Sequence, residues 1–116
     1  MDKINKDKMI KDEIRKLKKI TNNIPKDERT FVDRLISQAA FMYATLHELQ
    51  ETLNAEGAVE NFVNGSQQML REHPAAKIYN TMIKNYTSVI KQLGDMTPER
   101  DSESDPLKEF LERSKK

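Results

Sequence analysis

Cysteine is absent from the 116 residues, which excludes disulfides and thiolate metal sites and suits a reducing compartment. Glycine occurs three times, too few for a Gly-rich loop that cradles phosphate. No apolar run approaches the roughly 20 residues that cross a bilayer, and the charged N-terminus lacks the apolar stretch of a secretory signal. Neither histidine has a partner at metal-ligand spacing. His47 sits beside Glu48 in a helical pattern and reads as a solvated helix residue, while His73, before Pro74, reads as a turn or helix start. There is no nucleophile elbow and no paired-carboxylate motif. Residues 101–105 are acidic but lack the glycine and closing glutamate of a calcium loop. These absences predict a non-enzyme with no metal, no cofactor and no membrane contact, working in the cytoplasm.

What is present is charge and helical periodicity. Only 36% of the residues are hydrophobic and 34% are charged, so the interior is thin for one small domain. The net charge of +1 hides an asymmetry: residues 1–20 carry eight Lys/Arg against four Asp/Glu, leaving twelve against fifteen for the rest. A basic arm on a mildly acidic body suits a polyanion, DNA above all. A lysine-rich outer face that only meets solvent has the same signature.

From about Lys6 to Thr21, Ile10, Ile14 and Leu17 recur at helical spacing with Met9 and Ile20 beside them. Pro25 disfavours helix at Ile24 and starts a long helix at its first position, followed by Asp27 and Glu28. Phe31, Leu35, Ala39, Met42, Leu46, Leu49 and Leu53 then form a near-heptad seam, ended by Gly57. Asn64-Gly65 is the hairpin signal between two short strands, both turn residues needing positive φ. His73-Pro74 opens a second long helix, with Ile78, Met82, Tyr86, Val89 and Leu93 on one stripe and Gly94 as its stop. Thr97 and Pro98 suit the N-cap and first position of a further turn. Residues 101–105 read as a linker before a short amphipathic tail.

The expected fold is mainly α: a long antiparallel helical hairpin with a short β-hairpin inserted between the two long helices, a basic N-terminal helix and a flexible C-terminal tail. The expected organisation is 1–29 for DNA binding, 30–100 for oligomerisation, and 101–116 as linker and partner-binding tail.

The stretch from Glu60 to Arg100 carries a recognisable order of motifs. An Asn64-Gly65 turn is followed by Glu72-His73-Pro74-Ala75, Lys77-Ile78-Tyr79-Asn80, and a closing Leu93-Gly94 then Thr97-Pro98. Over roughly residues 30–100 this resembles the P27 family of phage terminase small subunits. The resemblance implies a protein that binds the packaging start site on viral double-stranded DNA. It also implies a homo-oligomeric ring, and recruitment of the terminase large subunit, which holds the ATPase and nuclease, in the host cytoplasm. The chain departs from many such proteins in having one short helix, a Pro-containing turn and the long helix where they carry a complete helix-turn-helix module. Contacts to phosphate are therefore expected more than base readout.

Lys8, Lys11, Arg15, Lys18 and Lys19, with Lys26 and Arg29 behind them, are the expected DNA contacts. Phe31, Leu35, Met42, Leu46, Leu49, Ile78, Met82 and Leu93 are the candidates for assembly, some of them necessarily serving an internal core. Tyr79 and Tyr86 suit either interface anchors or half-buried packing. Leu107, Phe110 and Leu111 would dock on the large subunit as a helix in a groove, or fold back on the body. A structural or adaptor protein of the phage particle and a small helical transcription regulator are the competing readings.

Overall fold

The structure, a computed structural model, describes residues 1–65 and 67–98. Its elements are α1 (Lys3–Ile20), a 3-10 turn (Lys26–Glu28), α2 (Arg29–Glu56), β1 (Val59–Asn64), β2 (Gln67–Glu72) and α3 (Pro74–Met96). The mainly α fold with a β-hairpin between two long helices is as the sequence implies. The tail, including residues 107, 110 and 111, lies outside the described residues.

Helix α1 begins earlier than its apolar stripe, because the Asp2 side chain caps it by accepting from the Asn5 N–H at 2.8 Å; an N-cap oxygen satisfies an otherwise orphaned amide. Its far end is closed by Thr21, whose hydroxyl and N–H both donate to the Leu17 carbonyl, at 2.7 and 3.0 Å. Pro25 is the N-cap of the 3-10 turn, and α2 itself starts at Arg29, four residues later than expected. Helix α2 then runs 28 residues, about 42 Å at 1.5 Å per residue, and Gly57 ends it at φ +84°, where any Cβ would be strained.

The two strands pair antiparallel from Val59 with Glu72 to Asn64 with Gln67. That register shifts the expected turn by one residue. Asn64 is the last paired strand residue, and among the described residues only Gly65 in the turn has positive φ, +64°. A two-residue loop after Asn64 needs its first position left-handed, which glycine supplies without a Cβ penalty.

His73 caps α3: its Nδ1 accepts from the Ala75 N–H at 3.0 Å, with Pro74 at the first position. This is the helix-start role its place before proline suggests. The far end corrects the sequence reading. Gly94 lies inside the last turn, and Thr97 is the C-cap of α3; the further turn expected after it lies outside the described residues. The Thr97 hydroxyl donates to the Leu93 carbonyl at 2.7 Å. Pro98 holds Thr97 in extended backbone, since the residue before proline avoids the α region.

Helices α1 and α3 both run antiparallel to α2. Lys6 meets Glu48 while Arg29 meets Thr21, and Gln50 meets Tyr79 while Tyr43 meets Tyr86. The body measures 62 × 30 × 22 Å. One core joins Leu17 and Ile24 to Val32, Leu35, Ile36 and Ala39 of α2 and to Tyr86, Val89, Ile90 and Leu93 of α3. Alongside the expected seam, α2 buries a second row, Val32, Ile36, Ala40 and Ala44. Two buried rows are what a helix flanked on two sides requires.

Candidate nucleic-acid interface

The core face of α1 is set by Leu17, buried, and Ile10, Ile14 and Met9, half-buried. Side chains at 100° per residue then place Lys8, Lys11, Arg15, Lys18 and Lys19 on the opposite side. All five are exposed. Their spacing of three, four, three and one keeps them on one stripe, about 16 Å long at 1.5 Å per residue. Lys18 and Lys19 also lie in the last turn of α1, where the helix dipole favours cations.

Five of the seven expected contacts, Lys8, Lys11, Lys18, Lys19 and Lys26, are exposed and make no ion pair among the described residues. Arg15 is exposed but lies 2.8 Å from Asp12 one turn earlier, an exchangeable surface pair. Arg29 is differently placed. Its Nε donates to Asp33 at 3.1 Å, and its Nη1 donates to the Thr21 carbonyl at 2.9 Å. That guanidinium ties the end of α1 to the first turn of α2, which is a folding role.

The inner face of α1 holds a group that apolar periodicity does not reveal. Glu13 is 2% exposed and its Oε2 has no hydrogen-bond partner. Burial pushes its carboxyl above the ordinary carboxylate range, against the pull of Lys16, whose Nζ lies 3.5 Å from Oε1. Together with Tyr43 and His47 of α2 it lines an open cleft of about 400 Å³. His47 packs edge-on against Tyr43 one turn earlier on α2, at 4.7 Å, and is half-buried in that cleft where a solvated helix residue was expected. The signal in the sequence is position: Glu13 falls between Met9 and Leu17 on the stripe that meets α2.

The assembly candidates divide. Leu35, Leu46 and Leu93 are buried in the chain's own core, and Met42, Leu49 and Met82 are half-buried. Phe31 and Ile78 are 52% and 50% exposed, and Phe41, off the seam, is 50% exposed under the ammonium of Lys6 at 4.8 Å. Tyr86 belongs to the core, and Tyr79 is half-buried with its hydroxyl accepting from Gln50 at 3.0 Å, so packing is their role within the chain. Val59 and Leu70 are also exposed, on the rim of an open groove of about 590 Å³ between the hairpin and the start of α3. Among the described residues no His/Cys/Asp/Glu cluster could hold a metal, and no helix is long and apolar enough to cross a membrane.

A family model described as phage terminase, small subunit, matches residues 12–109. The chain belongs to that family. The match begins within α1 and covers α2, the hairpin and α3, so the stripe, the seam and the exposed phenylalanines all fall largely inside it. Membership gives the protein a role in phage DNA packaging. No curated protein and no solved structure matches the chain.

Proposed function

We propose that this chain is the non-catalytic, DNA-recognising subunit of its terminase, of the P27 type. It assembles with copies of itself into the ring that the family resemblance implies, engages viral double-stranded DNA in that form, and recruits the large subunit in the host cytoplasm. The observation that carries the reading is the cationic stripe of α1, turned away from the core and largely unpaired. Lysines spaced along one helix face track a phosphate backbone and carry little sequence information. Assembly is supported by Phe31, Phe41 and Ile78, large apolar side chains that the single chain leaves exposed; exposed apolar area of that kind marks interaction surfaces. Recruitment of the large subunit is assigned to the tail, through Leu107, Phe110 and Leu111.

The deciding experiment measures duplex DNA binding across salt concentrations, with the mass of the protein followed in parallel. Six phosphate contacts give a log–log slope of about −5. The variant K11E/R15E/K18E/K19E is expected to lose DNA retention and keep its assembly state. Retention by that variant would show that α1 is not the DNA surface, and a wild-type monomer that ignores DNA at low salt would end the reading. Removal of residues 105–116 is expected to spare both properties and stop activation of the large subunit.

A further inference from the structure

Helix α3 has an outer face of a different kind. From Pro74 to Gly94 it contains three lysines, Lys77, Lys84 and Lys91, and no aspartate or glutamate. Acids make up 19 of the 116 residues, so a stretch of this length would carry about three at the average frequency; solvated helices ordinarily interleave the two signs for i,i+4 pairing. All three lysines are exposed and make no ion pair among the described residues. Asn80, Thr81 and Ser88, also exposed, fill the face between them. Glu72 precedes the helix and Asp95 closes the stripe in its last turn.

A separation of seven residues returns a side chain to nearly the same direction, so the lysines stand in one row, about 10.5 Å apart and about 21 Å from end to end. The major groove of B-DNA is about 12 Å wide. Successive lysines on flexible stems can therefore meet phosphates on opposite walls, and the amide and hydroxyls between them are the uncharged donors found on DNA backbones. We infer that the outer face of α3 is a second, sequence-independent contact surface for duplex DNA, separate from the stripe on α1. The inference rests on the reading that the chain binds DNA. It further requires that this face stay open when copies assemble, which the absence of any large apolar side chain on it favours.

The test compares K77Q/K84Q/K91Q with the α1 charge-reversal variant, both as full chains, by DNA titration over salt. Loss of three phosphate contacts is expected to make the slope shallower by about 2.7, and to weaken binding on the order of a hundredfold at 0.1 M salt. K77R/K84R/K91R is expected to keep the wild-type slope, and the mass of the assembly to stay unchanged in both. If the glutamine variant alters assembly, Lys84→Gln alone is read, with an expected slope change of about 0.9. A wild-type slope in the glutamine variants, while the α1 variant loses binding, overturns the second surface and leaves the first. Failure of the wild type to bind DNA removes both.

Discussion

Helices α1 and α3 do the same architectural job by different means. Each lies antiparallel on α2 and turns lysines outward. Yet α3 buries Tyr86, Val89, Ile90 and Leu93, whereas α1 buries Leu17 and Glu13. The contacts of α1 are in good part polar: Lys6 to Glu48 at 3.2 Å, and Arg29 holding the Thr21 carbonyl at 2.9 Å. Apolar burial stabilises in proportion to area and without directional demands, whereas ion pairs at a partly exposed seam contribute little net energy. Helices α2 and α3 therefore form the stable part of the body, while α1 is the element that separates at least cost.

Ile90→Ala should show the largest effect. Emptying a fully buried site of that size costs about 3–4 kcal/mol, and denaturant unfolding should register it as loss of the whole fold. Leu17→Ala should cost about 2–3 kcal/mol by the same logic, but hydrogen exchange should place the loss in α1, leaving α2 and α3 protected. Equal loss of protection in all three helices would erase the distinction.

Glu13→Met addresses the polar seam. Replacing a buried, half-satisfied carboxylate by an apolar side chain of similar size should be stabilising by about 1–2 kcal/mol at neutral pH. The pH dependence has a fixed sign. Because burial raises the folded-state value, the native chain holds that proton more tightly than the unfolded chain. Stability is therefore fullest below the ordinary carboxylate range and declines as pH climbs from there to the raised native value. Thermal melts of the wild type should show this decline, and Glu13→Met should flatten it; identical profiles would mean that Glu13 is solvated.

His73→Ala removes the cap of α3 and should cost about 1 kcal/mol, a modest loss because the apolar face still holds the helix. Smallest in effect on the single chain is Phe31→Ser combined with Phe41→Ser. Surface substitutions of this kind stay within about 0.5 kcal/mol, so unchanged unfolding with a reduced assembly mass is the expected pair of results.

Much of this was legible in the amino acids. Helical spacing located the apolar faces of α1, α2 and α3, Gly57 and His73-Pro74 marked their boundaries, and Asn64-Gly65 marked the hairpin. The misplacements share one cause. Pro25, Asn64 and Gly94 are each compatible with two neighbouring local geometries, and hydrogen bonds to residues three or four positions away selected one. The cationic stripe of α1 was readable because exposure follows from periodicity once the apolar face is known. Arg29 was not, since its guanidinium is taken by a carbonyl eight residues earlier in the chain.

Residue type and short-range spacing alone set which segments are helical, where charge concentrates and which motifs are missing. Apolar residues off the seam already implied more than one neighbour for α2, but it took the packed chain to show that α1 and α3 are those neighbours. That packing divided one apparent seam into core residues such as Leu35 and Leu46 and exposed ones such as Phe31, and it buried Glu13 beside Tyr43 and His47. Such outcomes depend on which surfaces meet, and contacts between residues far apart in the chain are set by the packing of whole helices.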